Sequence, residues 1–485
     1  MEDLNLKVPS LLTLKSAFQK SQDVQFQELI VEQVKLTIIT CDAMFDQKML
    51  YSFAIPNIEK YLKESEGVID EEKLLQLPLP DVQKREKVDT IISDIFNGKI
   101  IIYFHESNIY LSCDLANKPN RSIEETKMEV LVKGPRDNFI ENISTNIALI
   151  RKRVPTNSLC VEKMYVGRRS KTTVAILYFD DIANKDVLNE IKDKISQVDV
   201  DIVLNGDILM EHFNNKHWFF PSTNDTGRPD FAIQSLVRGR FVILVDGVSY
   251  AIITPVDLNF LLKSGEDFEY PIIFSSFERL LRLAGLVLGI TFPAFWLALT
   301  TYHQDQLPLQ LLATVVISNL GIPVPAALEM ILLLIMFEMF REAGMRLPSV
   351  IGGTISVVGG LIIGDAAIRA GITSPAMLVV IALSFIATFT IANQSLLTVI
   401  TLVRFFFIIV TSVLGLFGFL VCLYFLILYL ANIRVFGVPY LNITRNLSWQ
   451  AIGKSLLRLP HNLYKKRPSE LNPLDDTRSN NEGIK

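Results

Sequence analysis

The sequence lacks most of what an enzyme or a nucleic-acid-binding protein needs. Its 485 residues hold 47 Lys and Arg against 51 Asp and Glu, a net charge of -4, so the basic excess of a nucleic-acid binder is missing. Only five histidines and four cysteines are present. Cys41, Cys113, Cys160 and Cys422 form no CxxC pair, and no HExxH-type spacing occurs, so neither a metal site nor a cofactor is expected. Buried, reduced thiols are the expectation for all four. No apolar run between Met1 and Lys20 is long enough for a signal peptide, which places the front half in the cytoplasm. No nucleophile–base set stands out, so the chain is expected not to be an enzyme.

Three stretches imitate functional motifs. Gly167-Arg168-Arg169-Ser170-Lys171-Thr172-Thr173 lacks the spaced glycine and the preceding apolar strand of a phosphate loop. Asp180-Asp181 reads as a solvated strand end rather than a metal site. The polar loop from Phe220 to Asp230 either caps the following helix or meets a partner or ligand.

What is present is a sharp asymmetry. Charge is dense up to Glu278, sparse to Asn432, and returns as a basic tail. Lipid replaces water over such a length. The fold class expected is therefore mixed: a cytoplasmic region of two related α/β subdomains, followed by a polytopic all-α transmembrane domain.

The front half reads as a duplication. Val34 to Asp42 and Val174 to Asp181 are strands ending in polar turns, each followed by a helical stretch. Gly98 to Phe104, returning through Ile109 to Leu111, matches Gly239 to Val245, returning through Ala251 to Ile253. Each is a glycine turn, an apolar strand and a hairpin. The expected divisions are an extension over 1–24, subdomains over 25–130 and 160–262, a helical connector over 131–159, membrane segments over 263–432 and a basic tail over 433–485. The connector helix, through Ile140, Ile143, Ile147 and Ile150, is either a rigid link or an oligomer contact.

In the membrane half, Leu280 to Thr300 is long enough to cross, with Pro293 as a kink. Arg279 and Arg282 at its entry mark the cytoplasmic side. Leu309 to Ser318 is short and reads as re-entrant or interfacial. Ala326 to Phe340 carries Glu329, an intramembrane carboxylate that marks either a functional polar site or an interhelix hydrogen bond. Ile351 to Gly371 holds Gly352, Gly353, Gly359, Gly360, Gly364 and Gly371. Along it Thr354, Val358, Leu361, Asp365 and Arg369 share one helix face, and the last two can pair. That face suits either a water path lined by copies of the helix or a tightly packed structural helix. Asn393-Gln394 interrupts the next uncharged stretch and marks a helix end. Phe405 to Ala431 follows. With both termini inside, about four crossings plus re-entrant pieces are expected, a scheme into which Arg404 fits poorly.

Several segments, in order, resemble one family. They are Lys133-Gly134-Pro135, Arg228-Pro229-Asp230, Arg238 to Gly247, Arg341 to Pro348, Val358 to Gly364, and Phe436-Gly437-Val438-Pro439-Tyr440. From about Ile95 to the tail the chain resembles the A-type subunit of GerA-family spore germinant receptors. Many members carry Gln where this chain has Gly353 and Asp365. The resemblance implies an oligomeric, nutrient-gated ion channel in the spore inner membrane, working with a permease-like B subunit and a lipoprotein C subunit. The glycine-rich helix then becomes the pore candidate. Competing expectations are a non-conducting scaffold and a secondary transporter; the latter usually shows paired membrane halves, and here only the soluble half is duplicated.

Overall fold

The structure is a computed structural model that describes residues 9–31, 34–65, 69–118, 137–213, 219–346, 362–441, 453, 457–460 and 466–478. The chain forms two units. One comprises Met1–Asn215, Ser222–Pro255 and Tyr464–Lys485, the other Lys216–Pro221 and Val256–Leu463.

The first unit contains two antiparallel five-stranded sheets. The first is built from β1 (Val24–Val31), β2 (Val34–Cys41), β3 (Gln83–Arg85), β4 (Ile100–Phe104) and β5 (Ile109–Cys113), in the spatial order β1-β2-β4-β5-β3. The second uses β6 (Leu159–Val166), β7 (Thr172–Phe179), β8 (Asn224–Thr226), β9 (Phe241–Val245) and β10 (Ala251–Thr254), in the order β6-β7-β9-β10-β8. Position for position the two orders are the same. The central strands β2, β4, β7 and β9 are runs of Ile, Val, Leu and aromatic residues because both faces of each sheet are covered. On one face of the first sheet, Ile38, Ile102 and Leu111 pack with Ile58 and Leu62; on the other, Ile39, Ile101 and Tyr110 pack with Phe18, Ile91 and Phe96.

Helices α1 (Val88–Phe96) and α3 (Pro229–Val237) hold equivalent places before β4 and β9. Each hands over to its strand through a left-handed glycine, Gly98 at φ 89° and Gly239 at φ 91°. A Cβ on Gly98 would lie 2.4 Å from the Met44 carbonyl, so the position demands glycine for space as well as conformation. The edge strands β3 (Gln-Lys-Arg) and β8 (Asn-Asp-Thr) are short and polar and carry no strand signal in sequence.

The connector helix α2 (Ile143–Arg151) starts later than its apolar stripe suggested. Asn142 caps it by accepting from the Thr145 amide at 2.9 Å. Ile140 stays outside the helix, its N–H and C=O both bonded to the Asn146 side chain. Most of α2 is buried, with Ala148 in the core beside Phe18 and Phe96.

Residues 466–478 return to this unit. Arg467 Nε donates to the Val237 carbonyl at 3.1 Å, and the Leu474 amide to that of Ile182 at 2.9 Å.

The second unit is mainly helical. Helices α4 (Ile272–Tyr302) and α7 (Gln394–Asn432) are long and apolar enough to cross a membrane; Leu309–Asn319 and α6 (Pro375–Phe389) are shorter apolar helices. Between them lies α5 (Ala326–Arg346). A short hairpin follows the helices, outside the span expected to be all-α. Strands β11 (Arg434–Val435) and β12 (Val438–Pro439) form a hairpin whose turn residues, Phe436 and Gly437, both have positive φ, the conformation of a tight type I′ turn.

Helix α7 is a hairpin of two arms. Gly415 sits at φ 60°, ψ -144°, outside helical space. The Phe407 and Phe419 rings are 6.0 Å apart, whereas twelve residues of straight helix would separate them by about 18 Å. Residues 394–414 and 416–432 therefore fold back on one another. A Cβ on Gly415 would lie 2.9 Å from Tyr302, whose hydroxyl donates to the Ser412 carbonyl at 2.5 Å. That carbonyl is one the break leaves without its helical partner. The expected interruption at Asn393-Gln394 is the gap between α6 and α7, and α7 runs unbroken through Arg404.

Candidate functional site

The helical unit holds a small number of buried polar groups, and the main cluster grows out of Pro293. Proline has no N–H, so inside α4 it leaves the carbonyl four residues back, that of Gly289, without a helical donor. Two other helices supply replacements. Arg404 Nε on α7 donates to Gly289 O at 2.6 Å, and Ser384 Oγ on α6 at 3.1 Å. Arg404 is 1% exposed, with its guanidinium 5.6 Å from the centre of the Phe385 ring. It belongs to the interior of the helical packing, which is why it disturbed a scheme of apolar crossings.

The close approach is set by Gly285 and Gly289, a G-x-x-x-G pair on α4. A Cβ on Gly285 would lie 2.4 Å from the Ala387 carbonyl, and one on Gly289 would lie 2.6 Å from Thr388. Small residues four apart let helix backbones meet in this way. The signals for this site were present in the sequence as Gly285, Gly289, Pro293 and a lone Arg404. Only their convergence was not.

Glu329 on α5 is 3% exposed. Its Oε1 accepts from Thr373 Oγ1 at 2.7 Å, from the Ser374 amide at 2.7 Å and from Ser374 Oγ at 3.2 Å. Ser374 is the N-cap of α6, so the carboxylate sits where a helix dipole favours negative charge. Glu329 thus makes an interhelix hydrogen bond. Asn393 caps α7 by accepting from the Leu396 amide at 2.7 Å, and Gln394, exposed, opens the same helix. On α5, Glu338 pairs with Arg341, which also donates to Thr401 Oγ1 at 3.3 Å.

Of the five residues expected on the glycine-rich face, Thr354, Val358 and Leu361 lie outside the described residues. Asp365 and Arg369 lie on a helix over 362–369 and are paired at 2.8 Å, with side chains 59% and 79% exposed.

At the start of α4, Asp267 is fully buried and accepts from Arg279 Nε at 2.7 Å and from Arg282 Nη1 at 2.6 Å. In the sequence these arginines stand at the entry of an apolar stretch; the structure adds the carboxylate that holds them. Arg458 joins them, donating to Ser275 Oγ at 3.3 Å.

The imitated motifs of the first unit are structural. Residues 167–171 make the β6–β7 turn, where Ser170 Oγ accepts from the Val203 amide at 3.2 Å. Asp180 pairs with Lys20 at 2.9 Å and with Lys185. Burial opposes ionisation of Asp180, but hydrogen bonds from Lys185 and Lys20 outweigh it and hold the carboxyl below its ordinary range. The loop ahead of α3 supplies β8 and a turn: Thr226 Oγ1 accepts from the Arg228 amide at 3.1 Å, and buried Arg228 pairs with Asp230 at 2.6 Å. All four cysteines are buried and unpaired. Burial pushes Cys113 up to about 12 and Cys160 up to about 11, so neither is a ready nucleophile. Among the described residues no group of three His, Cys, Asp or Glu could hold a metal ion.

Comparison with known proteins gives a consistent result. The model of the family described as Bacillus/Clostridium GerA spore germination protein matches residues 12–470. Spore germination protein XA of Bacillus anthracis is 38% identical over 448 residues, covering 91% of each chain. The uncharacterized membrane protein YfkQ of Bacillus subtilis (strain 168) is 32% identical over 415 residues, covering 85% of this chain and 81% of its own. Among solved structures, the N-terminal domain of the A subunit of the Bacillus megaterium spore germinant receptor GerK3 aligns with a TM-score of 0.41 and 22% identity, over 52% of this chain and 97% of that one.

Proposed function

Because this chain belongs to the Bacillus/Clostridium GerA spore germination protein family, we propose that it acts in germination as the membrane-embedded A-type subunit of a nutrient receptor. In this role copies of the chain assemble into a nutrient-gated ion channel of the spore inner membrane. A permease-like B subunit and a lipoprotein C subunit are its partners. Nutrient bound by a partner favours the open arrangement of a two-state oligomer, and ions leave the spore core.

The observation that carries this is the Asp365–Arg369 pair. It is closed at 2.8 Å yet more than half exposed, in a unit whose other exposed side chains are largely Ile, Leu, Val and Phe. Charges facing hydrocarbon are costly, whereas charges facing water or a neighbouring copy are not. An oligomer with this face inward satisfies the pair.

Glu329 meets Ser374 near the starts of α5 and α6, and Phe337 meets Phe385 further along both, with ring centres 5.4 Å apart. The two helices thus run in the same direction.

The test is potassium release from spores carrying this subunit with its B and C partners, on nutrient addition, comparing wild type with Val358→Ala and Asp365→Gln. Altered flux or a spontaneous leak at normal complex levels is expected. Unchanged flux in both variants would move the ion path elsewhere and favour the non-conducting scaffold.

A further inference from the structure

We propose that Arg404 is a positioning residue that latches the helical unit in its resting arrangement by capping the Gly289 carbonyl that Pro293 leaves free. The proposal rests on the channel reading for its consequence, but its geometry stands alone.

A proline inside a membrane helix creates a hinge with an orphan carbonyl, which must find a donor away from water. Ser384 Oγ already reaches Gly289 O at 3.1 Å, and a hydroxyl is sufficient for a carbonyl. Arg404 adds a second, shorter bond of 2.6 Å from a side chain that is 1% exposed. Burying a guanidinium costs far more than one carbonyl requires, so stability alone does not account for the choice. The bond joins α4 to α7 across the hinge, four residues before the proline. Arg404 has no carboxylate within 4 Å among the described residues, and Glu338, whose charge acts on it, has an oxygen, Oε2, without a hydrogen-bond donor there. The latch is thus a single bond to a backbone oxygen rather than a closed ion pair, and a movement of α4 at Pro293 breaks it without separating a carboxylate from its counter-ion.

The bond and the hinge have a common cause in Pro293, which makes the idea testable by suppression. Spores carrying the receptor with its partners are compared without nutrient, following potassium release and loss of refractility together. Arg404→Met removes the latch, and nutrient-independent release should rise about tenfold or more, the equilibrium shift for losing a hydrogen bond from a charged donor. Pro293→Ala restores the N–H that bonds Gly289 O within α4. Arg404→Met combined with Pro293→Ala should therefore return release to near the wild-type level. Pro293→Ala alone should slow the nutrient response by stiffening the hinge. Subunit levels are read by immunoblot. Should Arg404→Met fail to accumulate, Arg404→Lys takes its place, with a smaller rise that Pro293→Ala again suppresses.

Arg404 variants that stay dormant at normal levels, or a rise that Pro293→Ala leaves untouched, would overturn the latch. If refractility is lost spontaneously while potassium release lags behind it, the channel reading fails and the latch stands.

Discussion

Two arginines, one in each unit, are among the largest fully buried side chains of the molecule, and they are satisfied in different ways. Arg151, at the end of α2, donates to both oxygens of Asp23 at 2.7 and 3.0 Å and to the Thr156 carbonyl at 3.0 Å. It also lies 4.2 Å from the centre of the Phe96 ring. Both members of that pair are fully buried. Arg404, on α7, has a backbone carbonyl and one aromatic ring. The first is a closed ion pair that ties the entry to the first sheet to the connector, beside the main-chain bridge from Ser21 to Val161. The second is an open contact across a hinge. A closed pair suits a region whose parts move together, and an open one suits a region with two arrangements, because little has to be lost to leave it.

The difference can be broken at its strongest point first. Arg151→Met leaves Asp23 as an unpaired buried carboxylate, and unfolding of the full-length protein should become easier by about 3–5 kcal/mol. Cys41, whose Sγ lies 3.8 Å from Asp23 Oδ2, provides the readout through a faster alkylation rate. A rate unchanged from wild type would mean that Asp23 finds water or another donor and that the pair is not a staple.

A smaller effect is expected at the α7 turn. Gly415→Ala places a Cβ against Tyr302 in a backbone region that side chains rarely adopt, at a cost of about 1–3 kcal/mol. The thermal midpoint of the detergent-solubilised protein should fall, and an unchanged midpoint would argue that the two arms do not depend on that turn.

The smallest effect belongs to the exposed edge of the first unit. Asp180 has its folded pKa depressed, so its contribution is present above the ordinary carboxylate range and is lost as pH falls through the folded value. Wild type should therefore lose slightly more stability than Asp180→Asn between pH 6 and pH 3. The difference is small because the side chain is more than a third exposed. Equal losses in the two proteins would show that the bridge to Lys20 and Lys185 contributes nothing.

The duplication was legible because each copy repeats a glycine turn and an apolar hairpin, patterns fixed by backbone conformation and burial over a few neighbouring residues. The edge strands β3 and β8 were not, since three polar residues become a strand only when a neighbouring strand offers its hydrogen bonds. Asn393 was legible as a helix boundary for the local reason that its side chain caps the next turn. Glu329 and Arg404 stood out as polar residues in apolar surroundings, but their partners, Ser374 and Gly289, are 45 and 115 residues away.

By itself the sequence determined the change from a charged half to an apolar one, the repeated sheet pattern, the two arginines at the start of α4 and the resemblance to the family. These follow from composition and short-range periodicity, which act through neighbouring residues. Tertiary structure alone decided that Phe405 to Ala431 belongs to a hairpin with the segment before it, that Asp267 holds Arg279 and Arg282, and that a proline's free carbonyl is capped by an arginine from another helix. Each of these depends on which backbone groups are left without a partner after local structure has formed. Only packing between distant segments can supply the missing donor or charge.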